Sequence, residues 1–123
     1  MDEKVLAQYE KADEFVRAGN HLHAVQIYKR LLEENAETRA TVLRLAYLYE
    51  QMKLFGKVKE LLEDYLSANS DDETKILYGQ FLLRIKEFER ASKIFAEVDK
   101  SRHTEANYFL GIAFLEGKIT RRR

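Results

Sequence analysis

The 123 residues include no cysteine, no proline and only five glycines. Without cysteine, neither disulfides nor thiolate metal sites can support the fold, a composition compatible with a reducing compartment. Without proline, every residue past the N-terminus keeps its backbone donor and nothing obliges a helix to kink or stop. Few glycines mean few cheap hinges. Net charge is missing too. Twenty-one basic residues balance 21 acidic ones, leaving no overall field to draw the chain to nucleic acid or an anionic membrane. No apolar run approaches the ~18 residues that cross a bilayer. The start, Met1-Asp2-Glu3-Lys4, lacks the basic opening and unbroken apolar core of a secretion signal. A cytoplasmic protein is expected; if the chain is a piece of a longer one, a leader or anchor would lie in the flanking sequence.

What is present is a folded-domain balance of 46% hydrophobic and 34% charged residues, at a length suited to one domain spanning 1–123. Apolar residues recur with helical period in seven segments, at about 2–18, 21–34, 38–52, 55–67, 72–85, 88–99 and 103–116. Gly19-Asn20 separates the first two, with glycine as a left-handed C-terminal cap and Asn20 as the next N-cap. Ser70-Asp71-Asp72-Glu73 reads as a capping box, Ser70 and Glu73 satisfying reciprocal backbone donors. Residues 118–123, Lys118 to Arg123, have no apolar face and are expected to fray. No segment alternates with period two. The fold class is all-α, and the short links predict antiparallel neighbours.

The segments repeat. A small residue recurs in the odd-numbered helices at Ala12, Ala46, Gly79 and Gly111, spaced 34, 33 and 32 residues apart; the even-numbered helices align on Ala24, Val58 and Ala91. Helices cross closely only where one lacks bulk, so these positions predict close interhelical contacts. Each hairpin alone leaves an apolar face uncovered, and stacking the next one buries it.

The motifs Val42-x2-Leu45-Ala46-x2-Tyr49 with Val58-x3-Leu62, Tyr78-Gly79-x2-Leu82 with Ala91-x3-Phe95, Ala12-x2-Phe15 with Ala24-x3-Tyr28, and Leu110-Gly111-x2-Phe114 carry a resemblance. The chain resembles the tetratricopeptide repeat family from about residue 4 to 116. The departures are specific. Gln8, Val42, Lys75 and Asn107 stand where the family has a large aromatic, Ala36, Ser70 and His103 where it has proline, and Lys11 where it has leucine. The resemblance implies a right-handed superhelical α-solenoid of seven helices. Its repeats would fall at about 5–37, 38–71 and 72–103, with a capping half repeat at 104–117.

It also implies a concave groove, lined by the first helix of each unit, that holds a peptide or helix of a partner protein. The matching positions are Tyr9, Asp13, Val16 and Arg17 in unit one, and Leu43, Arg44, Tyr47 and Gln51 in unit two. Ile76, Leu77, Gln80 and Arg84 follow in unit three, then Tyr108, Phe109 and Ile112 on the last helix. This surface is aromatic and aliphatic with charges of both signs, which suits a partner segment with apolar anchors. Family members that grip a chaperone's C-terminal carboxylate use a cationic clamp. Its places here hold Tyr9, Asp13, Arg44, Glu73 and Leu77, one cation beside two acids, so that clamp is expected to be absent.

Chemistry is not signalled. His21 and His23 point to different sides of a helix and His103 is remote, so no metal site is expected. Glu33-Glu34 and Asp71-Asp72-Glu73 fall at helix ends, where capping accounts for them. The glycines are scattered and no serine has a base beside it. Neither a cofactor nor an enzyme is expected. Arg121-Arg122-Arg123 reads as a solvated tail. Single-stranded RNA binding would want a basic groove, and Asp13, Glu73, Glu105 and Glu116 lie on or beside these helices. The remaining alternative is self-association: the last helix, with Tyr108, Phe109, Ile112 and Leu115, predicts an exposed apolar patch.

Overall fold

The computed structural model describes residues 1–122. It consists of seven helices, with no strand among the described residues. They are α1 (Glu3–Arg17), α2 (His21–Glu33), α3 (Thr38–Gln51), α4 (Phe55–Ala68), α5 (Asp72–Arg84), α6 (Phe88–Ala96) and α7 (Glu105–Arg122).

The repeat is written most plainly in the turns. After α1, the N–H of Asn20 donates to the carbonyl of Phe15; after α3, Leu54 donates to Tyr49; after α5, Glu87 donates to Leu82. Each is the long bond of a Schellman turn. The residue just before each donor is left-handed: Gly19, Lys53 and Lys86, with φ of 80°, 63° and 64°. Glycine occupies only the first; the other two turns form with lysine in the strained conformation. A fourth such turn, Ala36 to Leu31 through Asn35, ends α2.

The chain divides into two compact units, Met1–Tyr65 and Leu66–Arg123. In the first, α1 packs on α2 and α2 on α3. Its core joins Tyr9 and Ala12, Ala24 and Tyr28, Leu45 and Ala46, and Val58 and Leu62. In the second, α6 packs on both α5 and α7, with Tyr78, Phe81 and Leu82 of α5, Ala91 and Phe95 of α6, and Ala106 and Ala113 of α7 buried. Each large side chain taken out of water contributes about 1.5–3 kcal/mol, more than any propensity difference. The small positions Ala12, Ala46 and Gly79 are all buried, as are Ala24, Val58 and Ala91.

Four local features differ from the sequence reading. Gly111 is exposed, with no heavy atom within 4 Å of where a Cβ would stand. At the equivalent place in α5, Gly79 meets Phe95 of α6. α5 is capped by Asp71 rather than Ser70: the Asp71 carboxylate accepts from the Thr74 N–H at 3.3 Å and the Thr74 hydroxyl at 2.6 Å. α6 stops at Ala96 rather than 99, because Asp99 takes the N–H and hydroxyl of Ser101, at 3.0 and 2.7 Å, and turns the chain. α7 does not end at Gly117. It continues as helix to Arg122, so the fraying expected from 118 is not found; Arg123 lies outside the described residues. Gly117 lies within the helix beside α6, where a Cβ would be 3.6 Å from Phe88 Cβ, an ordinary van der Waals contact.

Candidate functional site

Three helices of the first unit surround a hollow of about 460 Å³. α1 supplies Asp13, Val16 and Arg17, α2 supplies Tyr28, and α3 supplies Leu43, Arg44, Tyr47, Leu48 and Gln51. The spacings explain the convergence, since residues three and four apart share one face of a helix, as Leu43, Tyr47 and Gln51 do.

Arg44 organises the floor. Its guanidinium carbon lies 4.2 Å from the Tyr9 ring centroid, a cation–π contact, and its Nη1 is 3.6 Å from Asp13 Oδ1. It also acts on the Tyr28 phenol. Burial pushes the Tyr28 phenol above its ordinary value, and Arg44 pulls it part of the way back. The Arg44–Asp13 pair is half-exposed and adds little stability. Its effect is to use up the positive charge and hold the guanidinium flat over an aromatic face. Above this floor stands Tyr47, 65% exposed, with Val16 and Leu43 half-buried beside it. An aromatic rim over an apolar wall, with its one organised ion pair internally neutralised, can take an apolar side chain and flanking backbone.

The structure thus brings together Asp13, Arg17, Leu43, Arg44, Tyr47 and Gln51 of the sequence-predicted groove. It does not bring Tyr9 with them as a contact residue. Tyr9 is buried, its hydroxyl 2.7 Å from Thr41 Oγ1, and serves as core beneath Arg44. In the second unit Leu77, Arg84 and Tyr108 are exposed and Gln80 and Ile112 half-buried. Ile76 is buried, so it too is core rather than groove. Phe109 is engaged in packing, its ring stacked on Phe95 with centroids 5.5 Å apart. Sequence reasoning missed Tyr28 and Leu48 as lining residues. Tyr28 sits four after Ala24 on a second helix, and that spacing reads only as core. A second hollow of about 310 Å³, between α2, α3 and α4, was equally unmarked; Lys29, Glu33, Lys57, Glu60 and Asp64 give it a wall of alternating charge.

The histidines are placed by local bonds. His23 Nδ1 lies 2.6 Å from Asn20 Oδ1 and its ring stacks on Phe15, so Asn20 holds the histidine rather than capping α2. His103 is 3.7 Å from Glu105. Among the described residues no three His, Asp or Glu side chains gather as a metal site, and no helix is long and apolar enough to cross a membrane.

These features define a helical-repeat protein built from hairpins of a little over thirty residues. Over 106 residues the chain is 27% identical to cleavage stimulation factor subunit 77 of Arabidopsis thaliana. The match covers 86% of this chain but only 14% of that protein. No family model and no solved structure matches.

Proposed function

We propose that this chain is a protein–protein interaction module whose first unit holds a peptide or helix of a partner protein in the hollow between α1 and α3. In this reading the hairpins form a right-handed α-solenoid of the tetratricopeptide kind, without enzymatic activity. The observation that carries it is Tyr47, a large aromatic standing 65% exposed at the rim of a partly apolar hollow whose floor is already organised by Arg44. Exposed aromatics over preformed apolar pockets are typical of binding hot spots. That the matched relative is by name a subunit of a larger factor supports a protein partner. The pairing of Arg44 with Asp13 speaks against both a carboxylate clamp and a basic nucleic-acid track.

The test is affinity capture with this chain as bait, followed by calorimetric titration with the recovered partner's binding segment. Tyr47→Ala and Leu43→Ala are each expected to weaken binding by about tenfold, the 1–2 kcal/mol of a hot-spot anchor. Undiminished affinity in both variants sinks the reading.

A further inference from the structure

α7 has two apolar sides. Inward it presents Ala106 and Ala113, both buried, Phe109 stacked on Phe95, and Gly117 beside Phe88. On the other side Tyr108, the half-buried Ile112, Leu115 and Ile119 follow one another at steps of four, three and four residues. Tyr108 is 68% exposed, Leu115 60% and Ile119 39%. That stepping is the seam of a helix pair, and so many large apolar groups in water on one helix mark an association surface.

We propose that this seam is a homodimer interface, in which α7 pairs antiparallel with α7 of a second copy of the chain. The seam reads the same in both directions. With Leu115 set opposite Ile112 of the second copy, Tyr108 falls opposite Ile119, and the two-fold axis repeats both contacts, as an isologous interface requires. The same register sets Glu105 of one copy opposite Arg122 of the other. The charges of α7 are segregated to suit this, with Glu105 in the first turn and Arg121 and Arg122 in the last. A parallel pair would place these arginines against each other; the antiparallel pair places acid against base and opposes the two helix dipoles. Gly111 lies beside the seam with nothing within 4 Å of its missing side chain, which lets the backbones approach.

The experiment uses the whole 123-residue chain in light scattering across a concentration series. The mass is expected to rise from 14.5 kDa toward twice that value. Leu115→Glu, at an exposed position, is expected to hold the mass at the monomer while circular dichroism stays helical. Glu105→Arg and Arg122→Glu are each expected to weaken the dimer on the order of fivefold, and the double variant to restore it. Because the chain has no cysteine, Tyr108→Cys combined with Ile119→Cys should give a disulfide-linked dimer under mild oxidation. A monomer at every concentration overturns the proposal. So does a dimer indifferent to Leu115→Glu, or a charge-swapped double variant no better than its parents. None of these substitutions touches the hollow of the first unit, so the two ideas fail separately.

Discussion

The ring of Phe95 lies directly against Gly79, closing α6 onto α5 at a point where no side chain would fit. A Cβ on Gly79 would stand 2.9 Å from Phe95 Cε2 and nearer still to Cζ and Cε1. The ring has no room to withdraw: Phe95 is fully buried and also stacks on Phe109 of α7. One missing side chain therefore sets the closeness of three helices.

This makes the same substitution opposite in sign at two equivalent repeat positions. Gly79→Ala is expected to destabilise by about 1–3 kcal/mol, overpacking outweighing the better helix propensity of alanine. Gly111→Ala meets nothing and is expected to stabilise by up to about 1 kcal/mol. Urea denaturation in the Leu115→Glu background, where pairing of α7 cannot contribute, reads both. A stabilising Gly79→Ala would contradict the close crossing.

The left-handed lysines give a second prediction. A residue with a Cβ at positive φ costs about 1–2 kcal/mol, and glycine escapes that cost while adding some unfolded-state entropy. Lys53→Gly and Lys86→Gly should each stabilise by about 0.5–1 kcal/mol, while Gly19→Ala should destabilise by a similar amount. Thermal melts of the three variants check the signs together.

Buried threonine gives a third. The Thr41 hydroxyl donates to the Ala36 carbonyl at 3.0 Å, which leaves its oxygen to accept from the Tyr9 hydroxyl at 2.7 Å. Thr41→Val strands the tyrosine proton in the core and is expected to cost about 1–3 kcal/mol. Tyr9→Phe removes the donor but leaves Thr41 bonded, and should cost only about 0.5–1.5 kcal/mol.

Alkaline pH gives the fourth. Burial holds the Tyr28 and Tyr49 phenols above their ordinary value, with Arg44 and Lys57 respectively opposing the shift. Above about pH 10 the unfolded chain releases these protons while the folded one keeps them, so stability is full below that pH and falls as pH rises through the folded values. Tyr28→Phe should flatten the alkaline slope of the melting temperature. In an ultraviolet titration of the native protein, Tyr28→Phe and Tyr49→Phe should each remove part of the late-ionising absorbance.

Much of this was legible in the residues. Apolar periodicity located seven helices because an amphipathic face must be buried wherever the chain folds. Of the small residues Ala12, Ala46, Gly79 and Gly111 expected at close crossings, the first three are buried, Gly79 lies tight against Phe95, and Gly111 is exposed. Capping was less legible: Ser70 and Asp71 are both good caps, and choosing between them depended on where Thr74 settled. The left-handed turns at Lys53 and Lys86 carried no glycine signal, and only the repeat interval, 34 residues from Gly19 to Lys53 and 33 from Lys53 to Lys86, would have found them. The candidate site divided in the same way. Leu43, Tyr47 and Gln51 lie on one helical face by spacing alone, whereas nothing local distinguishes Tyr9, which is sealed beneath Arg44, from Tyr47, which stands in water.

Helix content, hairpin order and the interval of the repeat were determined by the sequence itself, because they follow from periodicity and side-chain size along one strand of chain. Tertiary structure alone decided which aromatics became core and which remained exposed, that Arg44 lies over Tyr9 and beside Asp13, and that α7 continues past Gly117. The reason is physical: burial is a property of what packs against a residue from elsewhere in the chain, and no local pattern records the far side of a contact.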